Sequence, residues 1–265
     1  MEGDPDLSGG GTYVMEMIVL GSGSSVPHPK RGSAGYLVCS GGRTILVDVG
    51  LGTLQKLAAL GIPLAEPDAA AFTHLHLDHT AELAPLLFAL RNPGIGRTKT
   101  LTLLGAPGFR DFYARLRRLY GAWVEPLDYP LEIEEIDGGP VSLGGFTFWA
   151  FPVSHSPQSV AYRVEDPADG KTVAFSGDTD ICEGLVEAAR GADLAVFECS
   201  FPDGRKAEGH LTPGEAGELA SRSGAKRLLL THFYPECEGE DILGQCRNRY
   251  AGEILLAEDL LRVSV

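Results

Sequence analysis

Positive charge is scarce in this 265-residue chain: 22 Lys and Arg stand against 36 Asp and Glu, for a net charge of −14. A chain of that balance does not grip nucleic acid by broad electrostatics, although a local basic patch remains compatible with it. Cysteine is sparse too. The five, Cys39, Cys182, Cys199, Cys237 and Cys246, are odd in number and form no C-x-x-C. That argues against a disulfide framework and a cysteine-built structural zinc, and it predicts reduced thiols in the cytoplasm. No apolar run approaches the roughly 18 residues of a membrane-spanning helix. Residues 1–12 are acidic and Gly-rich without a basic stretch, so they do not read as a secretory signal and are expected to be a flexible leader. Residues 13–265 are expected to form one domain, long enough to bury a sizeable core.

What is present is a strand-and-helix vocabulary that occurs in both halves. Segments 14–20, 36–39 and 44–49 read as strands, the last two as a hairpin turning at Gly41-Gly42. A helix over 53–60 stops at Gly61. A short strand over 69–73 leads to a helix near 81–90. The strand 101–104 precedes an amphipathic helix over 109–120, on which Arg110, Arg115, Arg117 and Arg118 mark a solvated face. In the second half, 131–136, 141–151 and 160–164 read as antiparallel strands. Further strands follow at 171–176, 194–197 and 227–231. Thr212, Pro213 and Glu215 open a helix over 212–223 with a capping box. Two sheets packed face to face, with helices outside, would bury these strands.

The chain holds only seven histidines, and three of them fall in His74-x-His76-x-Asp78-His79. Imidazole and carboxylate suit zinc and similar divalent ions. Alternate residues of an extended segment point to one side, so His74 and His76 can share an ion. The turn that follows would aim Asp78 and His79 at a neighbouring one. His155, Asp178 and His232 each stand where an apolar strand ends, so one rim of the fold could gather them. Taken singly, each reads as a core histidine, a turn residue or a helix entry. Taken with the hexapeptide, they read as a metal site.

Thr73-His74-Leu75-His76-Leu77-Asp78-His79 resembles the signature of the metallo-β-lactamase-fold hydrolases. His155, Ser176-Gly177-Asp178-Thr179 and Thr231-His232 follow in the family's order, and the resemblance runs from about Met17 to the C-terminus. Within the family, Phe197-Glu198-Cys199-Ser200-Phe201, Gly209-His210-Leu211-Thr212 and the entry loop from Gly21 through Pro27 to Arg31 are similar to the ribonuclease Z and phosphodiesterase branch. The resemblance implies an α+β fold, the four-layer αββα sandwich, with two divalent ions at one edge. Zinc is the first choice, and manganese or iron is also compatible with these donors. It assigns His74, His76 and His155 to the first ion, Asp78, His79 and His232 to the second, and Asp178 to both.

Two ions roughly 3.5–4 Å apart lower the pKa of a water between them and stabilise charge on a phosphoryl group. In that mechanism the bridging hydroxide attacks, and Asp78 counts among the catalytic residues. The leaving oxygen then needs a proton, and the resemblance places His210 to donate it. Glu198 either orients His210 or is a buried structural carboxylate. His28 and Arg31 either border the substrate or face solvent. Asp48 is either a partner for a ligand histidine or a turn cap.

One departure from the tRNA-processing pattern stands out. Ribonuclease Z enzymes carry a long arm for tRNA between the third-motif histidine and the bridging aspartate, whereas only 22 residues separate His155 from Asp178 here. The reading that results is a phosphodiesterase acting on small or cyclic phosphodiesters. A tRNA 3′-end endoribonuclease and a carboxyl-ester, lactone or thioester hydrolase are the alternatives. The expected partner is a small phosphodiester, nucleic acid is disfavoured, no membrane contact is expected, and a homodimer is compatible with the family.

Overall fold

A computed structural model describes residues 14–265. The leader expected over 1–12 lies outside the described residues. Six strands of the first half, β1 (Glu16–Gly21), β2 (Gly35–Ser40), β3 (Arg43–Val49), β4 (Ala69–Ala71), β5 (Leu101–Gly105) and β6 (Leu131–Glu135), form one sheet. The second sheet holds β7 (Val141–Leu143), β8 (Phe146–Pro152), β9 (Val160–Glu165), β10 (Thr172–Phe175), β11 (Leu194–Glu198), β12 (Arg227–Thr231) and β13 (Glu253–Leu256). The last strand, β14 (Arg262–Ser264), returns to the first sheet beside β1.

The sheets pack through apolar side chains on their facing sides. Val19, Val38, Val47 and Ala71 from the first share a cluster with Phe148, Val164, Phe175 and Phe197 from the second, all essentially without solvent contact. The outer side of the first sheet is covered by α1 (Thr53–Ala59), α2 (Leu77–Thr80), α3 (Leu83–Ala89) and α4 (Phe109–Tyr120). Leu57, Leu86 and Phe109 from this layer pack on Leu37, Leu46 and Phe72. Helices α5 (Glu183–Ala188), α6 (Pro213–Ser223) and α7 (Ile242–Arg247) lie with the second sheet. The result is the expected αββα sandwich.

Strand direction positions the site. β3, β4 and β5 run parallel to one another, as do β10, β11 and β12. β8 is antiparallel to β9, which is antiparallel to β10, so β8 ends on the same side as β10. The carboxyl ends of these strands therefore open toward one rim, and the polar residues there follow directly after them.

Some elements differ from the sequence reading. The strand over 131–136 is not antiparallel: β6 pairs parallel with β5 at the edge of the first sheet. Helix α4 between them is the crossover that a parallel pair requires. The single strand expected over 141–151 is two, β7 and β8, folded back at Gly144-Gly145 with φ of 54° and 82°. The helix expected near 81–90 is preceded by a helical turn, α2, so Asp78 and His79 lie on helix rather than in a loop before it. The capping box of α6 forms as expected: the Thr212 side chain accepts from the Glu215 N–H, and Glu215 accepts from the Thr212 N–H at 3.0 Å. No described helix is long and apolar enough to cross a membrane.

Candidate metal centre

Four strand ends deliver the site. The extended stretch after β4 presents His74 and His76, and α2 turns Asp78 and His79 inward. His155 follows β8, Asp178 follows β10, and His232 follows β12 with a left-handed φ of 60°. Close approach is built into the rim. A Cβ at Gly177, whose φ is 57°, would lie 2.7 Å from the Thr73 Cβ, so only glycine lets the Asp178 turn sit against the histidine segment.

The seven residues meet in two groups that share Asp178. In the first, His76 Nδ1 lies 3.1 Å from His74 Nε2 and 3.0 Å from His155 Nε2. Asp178 Oδ2 is 3.8 Å from both His74 Nε2 and His155 Nε2. In the second, His79 Nε2 and His232 Nε2 are 3.3 Å apart, and Asp78 Oδ2 is 3.4 Å from His232 Nε2. Asp178 Oδ1 completes that group at 3.2 Å from His79 Nε2 and 3.3 Å from His232 Nε2. A tetrahedral ion with bonds of about 2.1 Å keeps its ligand atoms about 3.4 Å apart, which is the spacing of both groups.

The donors themselves call for a cation. Asp178 is buried and its Oδ1 has no hydrogen-bond partner among the described residues, which is costly for a carboxylate unless a cation takes its place. The outer nitrogens are held so that the inner ones face the groups. His74 Nδ1 lies 3.1 Å from Thr73 Oγ1, His155 Nδ1 donates to the Gly209 carbonyl at 2.9 Å, and His79 Nδ1 lies 2.8 Å from Asp48 Oδ2. Asp48 is thus a partner of His79, and it also accepts from the Thr73 N–H at 2.8 Å. Burial, with His79, His155 and His76 as neighbours, pulls His74 down to about 2 against the pull of Asp178, and His76 is lowered by burial and by His155. Both are therefore neutral near pH 7, as metal ligation requires. Burial pushes Asp78 up, but the imidazoles of His232 and His79 outweigh it and hold the carboxyl at about 2.

Beside this cluster stands His210. Its Nδ1 lies 3.1 Å from Glu198 Oε1 and 4.0 Å from Asp178 Oδ2. Burial pulls its pKa down, but the Glu198 carboxylate, helped by Asp178 and Asp78, more than offsets this and holds it above its usual 6.5. A raised pKa favours the protonated imidazole, which can act as a proton donor. Glu198 is buried and accepts from the Thr179 N–H at 2.7 Å and the Leu211 N–H at 3.2 Å, so its carboxylate is fixed from several sides beside His210. His76 is exposed while His155 and His210 are half-buried, which leaves this side of the cluster open.

The entry loop is tied back into the fold. Arg31 Nη1 donates to Ser22 Oγ at 2.8 Å and to the Ala257 carbonyl at 2.7 Å, and its guanidinium lies over the Phe233 ring. Those bonds pin the loop to the chain's end. His28 accepts from the Lys30 N–H at 3.2 Å and belongs to neither metal group. The sequence reading missed Tyr234 and Ser200. The Tyr234 ring lies 5.8 Å from those of both His210 and His232, and its hydroxyl reaches Ser25 Oγ at 3.1 Å. Neither residue sits in a spacing that marks a ligand; only the fold brings them to the rim.

The fold and the donor set define a metal-dependent hydrolase of the αββα sandwich class. Residues 43–233 match the beta-lactamase superfamily domain, and the chain belongs to that superfamily. Membership implies divalent metal ions, which the His and Asp set fits. Ribonuclease Z of Mycobacterium bovis is 30% identical over 281 aligned residues, covering 95% of this chain and 99% of that protein. The metallo-beta-lactamase fold protein YhfI of Bacillus subtilis matches with a TM-score of 0.83 at 25% identity, covering 96% of this chain and all of that one. The short form of human tRNase Z matches with a TM-score of 0.73 at 25% identity, covering 94% and 99%.

Proposed function

We infer that this protein hydrolyses small or cyclic phosphodiesters. His74, His76 and His155 would hold one divalent ion, Asp78, His79 and His232 a second, and Asp178 would face both. Two ions held there acidify a water and take up charge on phosphoryl oxygens. Zinc suits the imidazole and carboxylate donors best, and manganese or iron would also fit. The five unpaired thiols accord with the cytoplasm.

The observation that carries the reading is the Glu198–His210 pair beside the metal groups. A poor alkoxide leaving group needs a proton as its bond to phosphorus breaks, and His210, its pKa raised by Glu198, stands at the open side to provide it. An activated carboxyl ester needs no such donor. Small substrates are favoured because the span from His155 to Asp178 is filled by β9, a turn and β10, leaving no residues there for an arm.

The tRNA-processing reading is the second one, and what supports it is the ribonuclease Z of Mycobacterium bovis aligning along nearly the whole chain. The test compares an aryl phosphodiester with p-nitrophenyl acetate, using zinc- or manganese-loaded protein and His76→Ala as control. Phosphodiester turnover that needs His76 is expected. Turnover of the carboxyl ester alone would overturn the reading in favour of an esterase or lactonase. Cleavage confined to tRNA precursors would overturn it in favour of the second.

A further inference from the structure

Ser200 is buried, and one oxygen atom of it touches three functional groups. Its Oγ lies 2.5 Å from Glu198 Oε2, 3.0 Å from His232 Nδ1 and 3.2 Å from His210 Nδ1. A hydroxyl has one proton to donate and two lone pairs to accept with, so three partners use its full capacity. Which partner receives the proton is decided by Glu198. That carboxylate is already the acceptor for the Thr179 and Leu211 N–H groups. An ionised carboxylate has nothing to donate, so the Ser200 hydroxyl must donate to it. Both imidazoles must then be the donors toward Ser200. His232 is thereby protonated at Nδ1, and its Nε2 lone pair points at Asp78 and Asp178. His210 is protonated at Nδ1 as well, sharing that proton between Ser200 and Glu198 Oε1. Its mobile proton is then the one on Nε2.

We propose that Ser200 is a positioning residue: its hydroxyl, oriented by Glu198, sets the tautomer of the metal-facing His232 and holds the ring of the proton donor His210 by its Nδ1 proton. This rests on the roles given above to those two histidines. It adds that the ligand and the acid are not independent, because one hydroxyl fixes both rings. A serine or threonine would serve, whereas a side chain without a hydroxyl would free the rings to turn or to take the other tautomer.

The direct test is a long-range proton–nitrogen NMR spectrum of the zinc-loaded protein labelled with nitrogen-15 in its histidines. His232 is expected to carry its proton on Nδ1 with Nε2 on the metal, and His210 to carry a proton on Nδ1. A proton on Nε2 of His232 would overturn the proposal without any variant being made. Zinc titration of Ser200→Ala against a chromophoric chelator is the second readout. One of the two ions is expected to bind about 10–100-fold more weakly, the scale of losing a ligand's outer partner. Ser200→Thr is expected to bind both as wild type does. Equal affinities in wild type and Ser200→Ala would overturn the proposal, and so would a folded Ser200→Thr that binds as poorly as the alanine variant. A third readout is turnover, where Ser200→Ala is expected to lose more on alkyl than on aryl phosphodiesters; equal loss on both would overturn the claim on His210. The NMR and titration results use no substrate, so they stand apart from the phosphodiesterase reading. If they come out as expected while no phosphodiester is turned over, that reading fails and the role of Ser200 toward His232 stands.

Discussion

Asp48 Oδ2 and His79 Nδ1 are 2.8 Å apart, both without solvent contact, and Asp48 holds a left-handed φ of 57° to make the contact. Asparagine adopts that backbone conformation readily, so Asp48→Asn removes the charge and leaves the loop as it is. The carboxylate fixes His79 with its proton on Nδ1 and its Nε2 toward the metal group. Asp48→Asn is therefore expected to weaken binding of one ion by about 10–100-fold. A zinc titration checks it, and unchanged affinity would remove Asp48 from the account.

The two sheets are also tied by hydrogen bonds that lead to the site. The buried Tyr162 hydroxyl on β9 donates to the Phe72 carbonyl at 2.8 Å, two residues before His74. Tyr162→Phe leaves that carbonyl without this partner, at a cost of about 1–3 kcal/mol. Denaturant unfolding should show the loss with an unchanged m-value.

Lys206 latches the loop that carries His210. Its Nζ donates to Asp180 Oδ1 at 2.7 Å, Glu215 Oε2 at 2.6 Å and the His210 carbonyl at 3.1 Å. The ammonium is partly exposed, so solvent screens these pairs and Lys206→Ala should cost only about 0.5 kcal/mol. The expected effect on activity is larger than on stability, because His210 loses its anchor. High salt should shrink the difference between the two proteins.

Acid sensitivity should come in part from Asp193, which packs at the start of β11. Burial pushes its carboxyl up, but Lys226 Nζ at 2.7 Å and the Thr172 N–H at 3.0 Å, with Lys171 close by, hold it below its usual 3.8. A depressed folded pKa stabilises the fold above the ordinary carboxyl range and loses that contribution as pH falls through the folded value. Asp193→Asn should therefore melt lower than wild type near neutral pH. The gap should close only as pH falls below the ordinary carboxyl range and through the depressed folded value, where both side chains become uncharged.

Much of this was legible in the residues themselves. The seven ligand candidates stood out because histidine is rare here and because those outside the hexapeptide follow apolar strands. Glycine pairs marked the hairpin at Gly41-Gly42, and Thr212 with Glu215 marked the start of α6. Less legible were features that depend on the fold as a whole. The strand β6 reads as antiparallel in the sequence but pairs parallel, because an alternating edge strand looks the same whichever way its neighbour runs. The short elements α5, α7, β13 and β14 carry too few residues to show a period. Ser200 stands in a segment that resembles the family but carries no role there, and nothing local marks Tyr234: each matters for what the other strand ends bring beside it. Arg31 was weighed as a phosphate contact or a solvent-facing side chain. It bonds to the Ala257 carbonyl, 226 positions away, a contact no local pattern announces.

The central claim is that His210 donates a proton to a leaving oxygen at a two-metal centre. It is tested most directly by wild type and His210→Ala acting on phosphodiesters whose leaving groups run from nitrophenol to simple alcohols. The account predicts a small loss for nitrophenol and a loss of about 10²–10⁴-fold for alkoxides. An equal loss across the series, or none for alkoxides, would contradict it.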